Sequence, residues 1–296
     1  MSSTVIPESI LTFWRDWMTA QDLTARTITE RIRFIRQVDR FIEGGFLTAT
    51  RQDLIQFMGS DPEWSNTTRA HYRSALHTFY TWLQDEEIRS DNPAAKLPKV
   101  KHRKRVPNPV EVADISAAVS SGAYRRTRQM IALHYYALLR GHEIAKVHGR
   151  DVDWRNRTIE VLGKGKKVRR VPINDALWEV VKDMPRDGYW FPNWKTNRVF
   201  AAGEGHILAN SVSRLLAQAL RRGGVHGHRP HDLRASGITE QVRAGVHVLV
   251  VQENAGHASA ATTQLYNLVN LEQKRDGVAS ITPIEIPERS GRKRAA

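Results

Sequence analysis

The sequence predicts a mainly α-helical protein with one small antiparallel β hairpin or sheet. It divides into a helical N-terminal domain and an α+β C-terminal domain. Three observations predict this. Apolar residues recur at helical spacing through residues 7–97, a lone stretch of strand-forming residues flanks a glycine turn at 158–171, and helical periodicity returns after it. Between the halves, residues 96–105 (KLPKVKHRKR) carry six Lys or Arg in ten positions, with Pro107 and Pro109 following. No amphipathic period runs through that stretch, so it reads as an extended linker. The division expected is 1–97, a linker at 98–107, a second domain at 108–279 and an extended tail at 280–296.

In the first domain Ile28, Ile32, Ile35 and Ile42, with Phe34, Val38 and Phe41 nearby, fit one broad helical face. Tyr72, Leu76, Phe79, Tyr80 and Leu83 repeat the spacing, and Ser65 or Thr67 is placed to cap that helix. Arg26, Arg31, Arg33, Arg36 and Arg40 occupy other sides of one helix, Arg69 and Arg73 of the next. Each arginine reads equally as a solvated surface charge. In the second domain helices are expected at about 109–120, 124–139, 174–183, 210–222, 231–244, 246–254 and 259–268. Strands Thr158–Leu162 and Val168–Val171 flank the turn Gly163-Lys-Gly-Lys-Lys167, a hairpin by composition. No internal repeat is visible.

Composition narrows the function classes. With 296 residues and 41% apolar content the chain can bury two ordinary cores. A formal charge of +14 favours a polyanionic partner through counterion release. There are no cysteines, which excludes disulfides, thiolate metal sites and a cysteine nucleophile. No apolar run approaches the roughly 20 residues of a membrane helix, and the N-terminus lacks the pattern of a secretory signal. A soluble, cytoplasmic protein without a membrane partner is expected.

The residues that carry chemistry are widely spaced. Arg140 follows the apolar run Met130–Leu139, where a guanidinium is costly unless it meets an anion or pairs with nearby Glu143. Lys164 sits in the glycine-bounded turn, where a flexible ammonium can reach a neighbouring cleft; the turn lacks the spacing of a nucleotide loop. His231 and Arg234 are three apart and share a helical face, suited to a single phosphate. His226, His228 and His231 also form a cluster, although no carboxylate-plus-histidine metal motif accompanies it. His257 follows Gly256 at an expected helix start, and Tyr266 lies nine residues on, as a core residue or as a nucleophile.

In order, these residues read Ala-Leu-Leu-Arg140-Gly-His-Glu143, Gly-Lys164-Gly-Lys, His231-Asp-Leu-Arg234, Ala-Gly-His257 and Leu265-Tyr266. That series resembles the tyrosine recombinase (phage integrase) family: an Arg in Thr-Gly-Leu-Arg-x-x-Glu, a hairpin Lys, His-x-x-Arg, Leu-Gly-His, then Tyr. The intervals of 24 residues from Arg140 to Lys164 and 23 from Arg234 to His257 resemble those of the bacterial Xer-type members. The resemblance covers nearly the whole chain, since the helical N-terminal half is similar to the family's core-binding domain. Three departures stand out: Ala137-Leu138 for Thr-Gly, Ala235 where a His often follows, and Asn254-Ala255 for Leu-Leu.

The resemblance implies a site-specific recombinase in which Tyr266 attacks a DNA phosphate and forms a 3′-phosphotyrosine link. It assigns Arg140 and Arg234 to the non-bridging oxygens, Lys164 to protonation of the leaving 5′-oxygen, His231 to the tyrosine proton and His257 to the phosphate. Glu143 would orient Arg140. Neither metal nor other cofactor is implied. Lys96, Lys99, Lys101, Arg103, Lys104, Arg105, Arg69 and Arg73 are the candidate DNA contacts. The implied partners are double-stranded DNA with paired sites, three further copies of the chain in a tetramer that passes through a Holliday junction, and accessory DNA-bending or directionality factors in a bacterial cytoplasm. Phage or mobile-element integration is the first reading, Xer-type dimer resolution the second, and a non-cleaving DNA-binding protein on the same scaffold the third.

Overall fold

Short polar caps set most helix starts in the N-terminal half. A computed structural model describes residues 6–101, 106–163, 167–257, 259–266, 275, 278–280 and 282. The chain falls into two compact units, Met1–Arg105 and Val106–Ala296. The first holds α1 (Glu8–Ala20), α2 (Ala25–Phe41), α3 (Arg51–Gly59) and α4 (Asn66–Asp85). Thr24, Thr50 and Ser65 each accept a hydrogen bond from a first-turn N–H, and Asp53 returns the bond to Thr50 in a capping box. Ser65, not Thr67, is thus the α4 cap. The face of α2 buries Ile28, Ile32, Ile35 and Val38 against an aromatic core that includes Trp14, Phe57, Phe79 and Trp82. Phe41 departs from the expected face: it is 46% exposed and meets Phe57 edge-on.

Two of the expected DNA contacts have structural duties. Arg69 donates from Nε to the Met58 carbonyl at 3.3 Å, from Nη1 to Trp64 O and from Nη2 to Asp61 O at 2.8 Å. Its guanidinium ties the α3–α4 loop and is not an open surface cation. Arg73 Nε donates to Leu97 O, and Asn66 donates to Lys101 O. With Leu97 buried and Val100 packed on the same core, residues 97–101 lie against the helical unit. Lys96, Lys99 and Lys101 are exposed. Arg103, Lys104 and Arg105 lie outside the described residues, as do Lys164 and nearly all of the 280–296 tail.

The second unit begins with α5 (Val112–Ser120), α6 (Arg125–Tyr135) and α7 (Gly141–Lys146). A three-stranded antiparallel sheet follows: β1 (Val152–Asp153), β2 (Thr158–Leu162) and β3 (Val168–Pro172), with Ile159 opposite Val171 and Val161 opposite Arg169. Then come α8 (Asp175–Val181), α9 (Ala209–Arg222), α10 (Pro230–Arg243), α11 (Val248–Ala255) and α12 (Ala260–Gln264). Ile131, Leu133, Ile144, Ile159, Phe191, Leu216 and Leu233 share one core. Helix α6 stops at Tyr135, four residues short of the expected end. The apolar run continues because the turn after the helix is itself buried, and Leu138 there has φ 53°.

Candidate active site

The turn from α6 into α7 presents two groups inward, the Leu138 carbonyl and the Arg140 side chain. Leu138 stands where the family motif has glycine and nevertheless takes the left-handed conformation, a cost of about 1–2 kcal/mol for an L residue. Its side chain is wholly buried among Ala235, Ile238, Val251, Ala255 and Tyr266, which offsets that cost. Gly237 on α10 makes room: a Cβ there would stand 1.9 Å from Tyr135 O and 2.6 Å from Leu138 Cδ2. Arg140 caps α7. Its backbone N–H donates to Glu143 Oε2 at 2.7 Å and its Nη1 to Glu143 Oε1 at 3.0 Å. Pairing with Glu143 and reach toward an anion are therefore not alternatives, because the paired side chain stays 28% exposed.

Helix α11 ends in Gly256, whose φ of 62° and ψ of 44° break the helix and leave its last carbonyls without helical donors. Three guanidiniums take them. Arg169 Nε donates to Asn254 O at 3.2 Å, Arg234 Nη2 donates to Ala255 O, and Arg140 Nη2 donates to Gly256 O at 2.6 Å. The negative end of the helix dipole favours cations at this point. Arg234 is fully buried, its Nη1 donates to Leu138 O, and its Nε has no hydrogen-bond partner among the described residues. Burial, then the Arg140 charge, pushes its pKa down to about 9, while Glu143 and Tyr266 oppose the shift. It stays protonated at neutral pH.

Glu143 is almost completely buried. Burial pushes its carboxyl up, but bonds from Arg169 and the Arg140 N–H, with both guanidinium charges, outweigh this and hold it at about 2. Arg169 grips both carboxylate oxygens, at 2.9 and 2.8 Å.

The expected helix start at His257 is not formed; the His257 N–H reaches back to Gln252 O, and α12 begins at Ala260 with Ser259 as its cap. His257 Nδ1 lies 2.9 Å from Thr263 Oγ1, and its ring stacks on Tyr266 at 6.2 Å between centroids. Burial, then the charges of Arg234 and Arg140, lowers His257 to about 4, so it is neutral at pH 7. Tyr266 is 8% exposed within the apolar cluster. Burial raises its phenol above the ordinary value despite the opposing Arg234 charge. His231, second residue of α10, is exposed and lies near enough to His134 and His257 that protonating it lowers their pKa values.

A cleft of about 720 Å³ opens beside the hairpin, lined by Arg140, His142, Lys167, Arg169, Gln252 and His257 among others. The structure thus gathers Arg140, Glu143, Arg234, His257 and Tyr266 around the end of α11. Sequence reasoning passed over Lys167, His142, buried His134 and, above all, Arg169. The signal for Arg169 was present: in an alternating strand it falls on the inward face, opposite Val161. Among the described residues no three His, Cys, Asp or Glu side chains are grouped to hold a metal ion, so His226, His228 and His231 form no such group.

The model of the phage integrase family matches residues 108–273. A tyrosine recombinase of Thermosipho africanus is 29% identical over 248 residues, covering 78% of this chain and 84% of the relative. The tyrosine recombinase XerC of Mycobacterium tuberculosis is 30% identical over 231 residues, covering 71% and 75%. A lambda integrase fragment (75–356), solved as a dimer bound to a COC′ core site, matches with a TM-score of 0.72 over 95% of this chain and 99% of its own. At 14% identity that likeness concerns the fold alone. The chain belongs to the phage integrase family. It is a site-specific tyrosine recombinase, an enzyme that cuts and rejoins DNA strands.

Proposed function

We propose that this recombinase serves a phage or mobile element, integrating its DNA through paired sites and a Holliday junction in a tetramer, with accessory bending or directionality factors. The observation that supports the cleavage chemistry is that Arg140 and Arg234 donate to the adjacent carbonyls of Gly256 and Ala255, beside His257 and Tyr266. In the proposed reaction the Tyr266 oxygen attacks the scissile phosphorus and the bond to the 5′-oxygen breaks. His231 accepts the phenol proton, and Lys164 donates one to the leaving oxygen. Arg140 and Arg234 stabilise charge on the non-bridging oxygens, and His257 hydrogen-bonds one of them. Rejoining reverses these steps with the 5′-hydroxyl of the partner strand. Lys96, Lys99, Lys101, Arg103, Lys104, Arg105 and Arg73 contact the phosphate backbone.

Because Tyr266 is buried with a raised pKa, DNA binding must bring its phenol to the guanidiniums before attack. XerC relatives at about 30% identity favour chromosome dimer resolution as a second reading of the same chemistry. The test of strand cleavage is a nicked duplex carrying the candidate site, incubated with the protein and run on a denaturing gel. A covalent adduct that disappears in Tyr266→Phe is expected. An adduct that persists in that variant overturns the nucleophile assignment, and no adduct on a cognate site leaves a DNA-binding protein that does not cleave.

A further inference from the structure

The geometry points to Arg169 as a positioning residue for strand cleavage, acting by fixing both groups that hold the Arg140 guanidinium. The inference rests on the recombinase reading above. Arg169 occupies an inward position of β3, where alternation calls for an apolar side chain, and its own side chain is only 9% exposed. A guanidinium placed there carries a desolvation cost that its partners must offset.

Its contacts are specific. Arg140 is held by two partners, the Glu143 carboxylate and the Gly256 carbonyl. Arg169 bridges both Glu143 oxygens, so that each receives one donor from Arg140 and one from Arg169. On the other side Arg169 donates to Asn254 O, and its guanidinium packs so closely on Gly256 that a Cβ there would come within 2.9 Å of it. The Glu143 side chain and the backbone around Gly256 thereby meet one planar group, which also ties β3 to α7 and α11. Without it, the carboxylate can rotate toward Arg140 alone and draw that guanidinium away from the cleft.

The test measures single-turnover cleavage of the nicked site by Arg169→Met, Arg169→Lys, Glu143→Gln and the Met/Gln double variant. Arg169→Met is expected to slow cleavage about tenfold or more while DNA affinity stays within about twofold, the split expected of a group that acts on the transition state. Arg169→Lys should recover part of the rate, because an ammonium supplies charge but cannot bridge two oxygens. The double variant should be no more than about twofold slower than the slower single, since both changes remove one link. Parental cleavage by Arg169→Met, or losses that multiply in the double variant, would overturn the inference. Should Arg169→Met fail to fold, Arg169→Lys decides: cleavage about threefold or more below parent at unchanged melting temperature supports it, and a smaller loss overturns it. Adduct formation by the parent with no effect of Arg169 variants sinks this inference alone; no adduct from the parent sinks the cleavage reading with it.

Discussion

Replacing Gly237 by alanine inserts a methyl group into the contact that sets how deeply Arg234 sits. The added carbon would stand 1.9 Å from Tyr135 O, 3.0 Å from Tyr135 C and 2.6 Å from Leu138 Cδ2. The first distance falls short of ordinary contact by roughly 1.5 Å. Leu138 Cδ2 can turn aside, but the Tyr135 carbonyl belongs to the end of α6 and cannot. Helix α10 must therefore shift, and Arg234, one turn earlier, withdraws from Leu138 O and Ala255 O. Overpacking of this kind costs about 1–3 kcal/mol, here at the upper end because the obstacle is backbone. Better helix propensity returns up to about 1 kcal/mol. A net loss of about 2 kcal/mol in a unit of this size lowers the melting temperature by roughly 4–8 °C. Cleavage should fall further, by about a hundredfold, because a transition-state contact is misplaced. Thermal melting followed by circular dichroism and single-turnover cleavage read the two effects. Parental melting and parental cleavage in Gly237→Ala would refute the packing argument.

Other outcomes follow from buried charges. Burial, with His231 and Arg234 nearby, holds His134 at about 3 against an ordinary 6.5, so the unfolded chain binds a proton that the folded one refuses. Stability is full above about pH 6.5 and falls as pH drops toward 3, by roughly 2 kcal/mol between pH 7 and 5 from this group alone. His257, at about 4, acts in the same direction. Urea unfolding at both pH values checks this; His134→Gln should flatten the loss, and equal parental stability at pH 5 and 7 would contradict it. Arg69→Ala should destabilise the N-terminal unit by about 2 kcal/mol through its orphaned loop carbonyls, seen as a lower denaturation midpoint. Replacing Lys96, Lys99 and Lys101 by Gln should instead spare stability and reduce the salt slope of DNA binding by about 0.9 for each phosphate no longer neutralised. An unchanged slope would remove those lysines from the interface.

Local signals in this chain were legible where local forces decide. The Ser65 cap, the hairpin around Gly163 and the period of α2 all followed from side-chain chemistry within a few residues. The end of α6 did not, because the turn after it is buried and left-handed Leu138 packs against Gly237, almost a hundred residues away. Arg69 read as a surface charge because loop carbonyls leave no trace in sequence. Arg140, Arg234, His257 and Tyr266 stood out as a series, while their meeting at the end of α11 depends on Gly256 freeing three carbonyls. Arg169 carried a signal, an inward position in an alternating strand, but its partners Glu143 and Asn254 come from two distant helices.

The most direct measurement digests the covalent protein–DNA complex with trypsin and nuclease and weighs the peptides. Cleavage after Arg243 and Lys274 releases residues 244–274, in which Tyr266 is the sole tyrosine. That peptide should carry the nucleotide on Tyr266 through a 3′-phosphate. A nucleotide on any other residue would contradict the account.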